Sequence, residues 1–145
     1  MRDLELLHRH RNSKIYVRDS GVLHALLGIT DYNDLSGRPV VGASWEGFVI
    51  ENLITAAPDG TRASFYRSAA GAEIDLLLEI AGRGLWAIEI KRGVGAKPQR
   101  GFHIACDDLQ PARRFVVTAG EARYPLTPNL EAISLRELAQ ELAVG

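Results

Sequence analysis

Glu73-Ile74-Asp75-Leu76-Leu77-Leu78-Glu79-Ile80-Ala81-Gly82-Arg83-Gly84-Leu85-Trp86-Ala87-Ile88-Glu89-Ile90-Lys91 is the stretch that decides the fold. Two β-type runs, Glu73 to Ile80 and Leu85 to Lys91, flank a turn whose glycines suit a hairpin. Alternation along the first run puts Ile74, Leu76, Leu78 and Ile80 on one face and Glu73, Asp75, Leu77 and Glu79 on the other. Along the second it separates Trp86, Ile88 and Ile90 from Leu85, Ala87, Glu89 and Lys91. A carboxylate and an ammonium on one face of an apolar strand are costly to bury unless paired. Ile88-Glu89-Ile90-Lys91 therefore asks for a purpose beyond packing.

A further β run, Ala63 to Arg67, precedes this pair and another, Arg114 to Thr118, follows it. Ala43 to Ala57 predicts a helix, with Trp45, Phe48, Val49, Leu53 and Ala56 at the spacing of a buried stripe and Pro58 ending it. At about 100° per residue, Glu46 flanks that stripe beside Leu53, while Glu51 lies nearly opposite and faces water. Pro98 to Leu109 predicts a second helix, with Pro98 in its first turn and Phe102, Ala105 and Leu109 on one side. The core order is α-β-β-β-α-β, an α/β class with a mixed sheet flanked by helices. After a proline-bearing loop, Leu130 to Ile133 reads as a last strand, and Ser134-Leu135-Arg136-Glu137 as a capping box opening a C-terminal helix. Upstream, Lys14 to Val17 reads as a strand, Ser20 to Gly28 as a helix and Thr30 to Gly42 as a loop. Residues 1–13 read as an extension or linker and 14–145 as a single domain.

The 145 residues suffice to bury roughly two thirds of the unfolded surface around one core. A hydrophobic content of 46% with 24% charged residues is far from the composition of a disordered chain. No apolar run nears the ~20 residues that cross a bilayer, and Met1 to Arg11 alternates charge and leucine rather than forming a secretory leader. The expectation is a cytoplasmic protein with no membrane partner. The lone Cys106 excludes an internal disulfide and a cysteine-rich zinc site, and His8, His10, His24 and His103 lack metal-ligand spacing. No glycine-rich loop ends in Gly-Lys-Ser/Thr, so nothing in these residues cradles nucleotide phosphates in the P-loop manner. A formal charge of −1 leaves no global basic field, so a nucleic-acid contact must come from a local patch.

Asp75, Glu89 and Lys91 are the residue types a phosphodiester hydrolase needs. Carboxylates hold a divalent cation, which neutralises phosphate charge and activates water; a lysine orients that water or stabilises developing charge. Gly42, Glu46, Asp75 and Glu89-Ile90-Lys91, in the order helix, strand, strand, resemble the PD-(D/E)XK nuclease superfamily, whose core is also α-β-β-β-α-β. More narrowly, four ordered segments are similar to the uncharacterised C-terminal domain of a family of prokaryotic AAA-type ATPases, itself regarded as PD-(D/E)XK-like. They are residues 14–23, Trp45-Glu46-Gly47-Phe48-Val49, residues 66–75 and Ala87-Ile88-Glu89-Ile90-Lys91. The likeness spans about residues 14 to 140, and the ATPase module that the resemblance leads one to expect upstream is not among these residues. The resemblance implies a restriction-endonuclease-like core, Asp75 and Glu89 as ligands of Mg²⁺ or Mn²⁺, Ile90 as a backbone-carbonyl ligand, Lys91 as the catalytic lysine and Glu46 as an auxiliary acid. It also implies DNA as substrate and an AAA-type ATPase module as partner.

Three functional readings stay open. One is a Mg²⁺- or Mn²⁺-dependent nuclease acting on DNA; another is a catalytically silent module that binds DNA or protein and regulates a fused or partner ATPase. The complete acid and lysine set favours the first, and the weak global basicity favours the second. A third reading is plain scaffolding or dimerisation through the leucine-rich N-terminal segment. Between Lys91 and Arg114, six basic residues stand against only Asp107 and Asp108. Arg92, Lys97 and Arg100, with Arg67 ahead of the Asp75 strand, are candidates to meet a phosphate backbone; their alternative is an ordinary solvated surface. Tyr66 reads as packed, Glu73 and Glu79 as solvated strand acids, His103 as helix surface, and His24 and Cys106 as structural.

The hairpin itself tests the shared site. A two- or four-residue turn pairs Asp75 with Ile90 and sends the acids to opposite faces of the sheet. A three-residue loop, Gly82 to Gly84, pairs Asp75 with Lys91 and Leu77 with Glu89, and a β-bulge in either strand has the same effect. The expectation is that odd loop or a bulge.

Overall fold

The computed structural model describes residues 40–95 and 97–144. The extension over 1–13, the strand over 14–17, the helix over 20–28 and His24 lie outside the described residues. Val40–Ala56 forms α1, Arg62–Arg67 β1, Glu73–Ile80 β2, Gly84–Ile90 β3, Arg100–Leu109 α2, Arg113–Thr118 β4, Tyr124–Thr127 β5, Leu130–Ser134 β6 and Leu135–Ala143 α3. The helix, three strands, helix, strand order read from the sequence is present.

The strands make one mixed six-stranded sheet, ordered β1-β2-β3-β4-β6-β5. β1, β2 and β3 form an antiparallel meander. The chain then crosses through α2 to lay β4 parallel to β3, and β6 parallel to β4. Such crossovers place helices on the sheet faces. On one face α1 and α3 bury Val49, Leu53, Leu138 and Leu142 against Leu76, Leu78, Trp86, Ile88, Phe115 and Ile133. On the other, α2 buries Phe102, Ala105 and Cys106 against Ile74, Leu77, Ala87 and Val116. Ser134 caps α3, accepting the Glu137 N–H at 3.2 Å, as the capping box predicts. No helix among the described residues is long and apolar enough to cross a membrane.

Several local expectations are corrected. α1 begins at Val40, inside the expected loop, and Phe48, placed in the buried stripe, is 45% exposed beside Trp45. α1 carries more apolar residues than one core-facing stripe can hold, so periodicity alone does not select which are buried. Pro98 precedes the α2 cap, Gln99, instead of occupying the first turn. The proline-bearing loop contains β5, antiparallel to β6 at the sheet edge. An edge strand needs ladder bonds on one side only, which is where a proline such as Pro125 is tolerated.

Candidate active site

The site exists because two strands part. In the β2–β3 hairpin, Ile80 pairs with Gly84 and Leu76 with Ile88, so the loop is Ala81 to Arg83. It has the expected three residues but begins one position earlier than Gly82 to Gly84. Gly82 and Gly84 take the left-handed φ of 75° and 82° that this loop requires. With the loop shifted, Leu77 pairs with Ala87 and not, as expected, with Glu89, and the ladder stops before Asp75, which is not paired with Lys91; the odd loop still leaves Leu77 on the face that leads by alternation to Glu89.

A bulge accompanies the loop. Ser64 pairs with Leu77 but Tyr66 with Ile74, so three steps along β2 match two along β1 and the extra residue falls at Asp75–Leu76. Ile74 consequently joins the α2-side core, opposite to Leu76, which corrects the simple alternation expected for β2. The β2–β3 ladder ends at Leu76 and Ile88, whereas β3 continues along β4 through Ile90 and Val117. In the gap the Asp75 carboxylate accepts the Ile90 N–H at 2.9 Å. A side chain replaces the backbone acceptor that the departing strand no longer supplies.

A cavity of about 330 Å³ opens at this parting, lined by Glu46, Arg67, Glu73, Asp75, Glu89, Ile90 and Lys91, with Gly71, Gln99, Gly101 and Phe102. Glu46 reaches it from α1, as its position beside the stripe predicts; Glu51 does not line it. Arg92 and Lys97, on the connection from β3 into α2, and Arg100, the first residue of α2, are exposed and also lie outside the lining. Arg113, counted in the basic run after Lys91, sits at the opposite end of the sheet, paired with Glu131 and Glu141. Glu73, read as a solvated acid, lines the cavity and accepts from Arg67 at 2.7 Å. The two residues are direct cross-strand partners, a relation legible only once the β1–β2 register is known.

Glu89 is buried, with 6% of its side chain exposed, and pairs with Lys91 Nζ at 2.9 Å. Its carboxylate also accepts the Gln99 N–H at 3.2 Å, ahead of the first turn of α2. Burial pushes the Glu89 carboxyl above its ordinary range and the Asp75 charge adds to this, against the opposing pull of Lys91 and Gln99. Four carboxylates face this space against two cations, so an anionic substrate enters favourably only if positive charge comes with it. Among the described residues no group of three or more His, Cys, Asp or Glu side chains is gathered closely enough to hold a metal ion. Asp75, Glu89 and the Ile90 carbonyl are instead two carboxylates and one backbone oxygen.

Sequence reading missed the walls. A Cβ on Gly101 would overlap the Gly71 carbonyl, so α2 and the β1–β2 turn approach one another through a residue without a side chain. Cys106 is buried, its thiol pushed up to about 12 by burial, and takes no part.

The chain is 43% identical over 126 residues to two longer proteins, the uncharacterized protein Mb2031c of Mycobacterium bovis and the uncharacterized protein Rv2008c of Mycobacterium tuberculosis. The match covers 86% of this chain and 28% of each relative, so the chain spans little more than a quarter of their length. No solved structure matches it. Residues 41–138, which carry Glu46, Asp75, Glu89 and Lys91, match the model of a domain of unknown function, and the chain belongs to that family, DUF4143.

Proposed function

We propose that this chain is a metal-dependent nuclease domain of the PD-(D/E)XK type that hydrolyses DNA phosphodiesters. One observation carries the reading: the gap between β2 and β3 collects Glu46, Asp75, Glu89 and Lys91 from one helix and two strands at a single cavity. The element order also agrees with the restriction-endonuclease-like core that the resemblance implies.

The donor chemistry fits Mg²⁺ or Mn²⁺. Asp75, Glu89 and the Ile90 carbonyl would hold the ion through hard oxygens. Mg²⁺ typically takes one or two protein carboxylates and completes its shell with water and substrate phosphate. A small carboxylate set is therefore compatible with this cation. When bound, the ion supplies charge neutralisation at the phosphate and a more acidic water. Lys91 has three N–H donors; the two beyond its Glu89 contact serve a phosphate oxygen or the attacking water. Glu46, on the α1 wall, accepts a hydrogen bond from that water. Arg67 and the exposed Arg92, Lys97 and Arg100 contact neighbouring phosphates, which makes binding salt-dependent.

The test is conversion of supercoiled plasmid by purified protein in Mg²⁺ or Mn²⁺, with a chelator control. Cleavage that disappears in Asp75→Ala and in Lys91→Ala supports the proposal. Cleavage unchanged in both assigns the activity to a contaminant or another site.

The second reading, a silent module that binds DNA or protein and regulates a fused or partner AAA-type ATPase, draws on two observations. The relatives are more than three times as long as the matched region, and Glu89 is already closed upon Lys91 and Gln99. DNA retention in a gel shift, with no cleavage in either metal, favours it.

A further inference from the structure

Lys91 lies one residue past β3, where the strand has lost β2 as a neighbour, yet its backbone is held on both sides. Its N–H donates to the Val117 carbonyl at 2.8 Å. Its own carbonyl accepts from the indole Nε1 of Trp45 at 3.2 Å. The preceding amide, Ile90 N–H, is taken by Asp75. Trp45 neighbours Glu46 on α1, and its ring packs against the core on the α1 and α3 face. This contact spans 46 residues of sequence and ties the helix carrying Glu46 to the strand end carrying Lys91.

We infer that Trp45 is a positioning residue, holding Lys91 in register with Glu89 and Glu46 by pinning its carbonyl. The inference rests on the nuclease reading for its consequence, although the pinning can be measured without it. A strand end bonded on one side only frays easily, and a lysine ammonium carried on a fraying backbone samples many positions. The indole has an apolar body to anchor in the core and one N–H to direct at a carbonyl. A phenylalanine at position 45 would retain the first property and lose the second.

The experiment compares wild type, Trp45→Phe, and protein with 3-benzothienylalanine placed at position 45 alone, which keeps the ring shape and lacks the donor. Amide hydrogen exchange is followed in peptides covering 88–95 and 113–118, and plasmid cleavage is measured at saturating Mn²⁺. If Trp45→Phe fails to fold, the isosteric analogue still isolates the N–H. The expected result is several-fold faster exchange over 88–95 with little change over 113–118. With it, kcat falls about 10- to 100-fold while KM for DNA stays within about twofold. Wild-type exchange in the analogue protein overturns the inference whatever its cleavage rate. So does faster exchange with an undiminished kcat, because the pinned backbone then makes no difference to the chemistry. Faster exchange in a protein whose wild type cleaves nothing supports the pinning and counts against the nuclease reading instead.

Discussion

At the Gly84 end of β3 charges close on one another, whereas at the Ile90 end acids outnumber bases around a cavity. Arg113 pairs with Glu141 at 2.9 Å and Glu131 at 3.5 Å, and Arg123 pairs with the same two glutamates at 2.9 and 2.7 Å. Arg83 donates to the Glu141 and Leu142 carbonyls, satisfying the last turn of α3 with a cation where the helix dipole favours one. The guanidinium groups of Arg83 and Arg113 lie 4.4 and 5.3 Å from the Trp86 ring centroid. Glu131 and Glu141 there each have two arginine partners within the fold. At the other end Glu46, Glu73, Asp75 and Glu89 share only Arg67 and Lys91 in the lining. The contrast separates an end where arginines and glutamates pair with one another from one where four carboxylates and two cations line a cavity.

That contrast breaks most visibly in catalysis. Asp75→Ala and Lys91→Ala should each lower DNA cleavage by at least about 10²-fold, as removal of a charge stabiliser or metal-site group does. Arg113→Ala, at the paired end, should leave the cleavage rate unchanged in the same assay. Loss of cleavage in Arg113→Ala with retained structure would erase the distinction.

Stability should respond in the opposite sense. Trp86 is 2% exposed and packs beside Phe115, with ring centroids 5.4 Å apart. Trp86→Ala should cost about 3–5 kcal/mol in chemical denaturation, and a cost below about 1 kcal/mol would show that the far end does not carry the core. Gly101→Ala tests the site wall. Its Cβ meets the Gly71 carbonyl, so a loss of about 1–3 kcal/mol is expected, the range for overpacking. Cleavage should fall with it, since the wall must shift. An alanine tolerated at wild-type stability would mean the close approach is absent in solution.

The smallest effects carry opposite signs. Glu131's carboxyl is held below its ordinary value of 4.5, chiefly by the hydrogen bond from Arg123. Its stabilisation is complete above that pH and is lost as pH falls through the lowered value. Glu89's carboxyl is raised above 4.5 by burial, so the fold favours its protonated form. That contribution is present below about pH 4.5 and vanishes as pH rises through the raised value. Thermal melts across this range should show Glu131→Gln weakening the acid-side loss of stability. Glu89→Gln should remove the part of the pH dependence that lies above 4.5. Identical profiles for the two variants would mean that the two ends titrate alike.

How far the molecule was legible from its residues depended on the range of the forces involved. Period-two patterning marked β2 and β3, Ser134-Leu135-Arg136-Glu137 marked the start of α3, and the helical angle at Glu46 separated it from Glu51, because each is set by neighbours within a few residues. The motif order and the family likeness rest on the same linear information. Tertiary structure alone decided the rest. The bulge at Asp75–Leu76 answers to pairing with β1 and turns Ile74 to the other core. β5 survives its proline because it lies at an edge. Glu73 meets Arg67 through a cross-strand register, and Gly101 matters only because Gly71 comes against it. Trp45 reaches Lys91 across 46 positions, a contact that exists only once α1 has packed against the sheet. Local sequence can say which residues are fit for a site, but the register between strands and the docking of helices determine which of them meet.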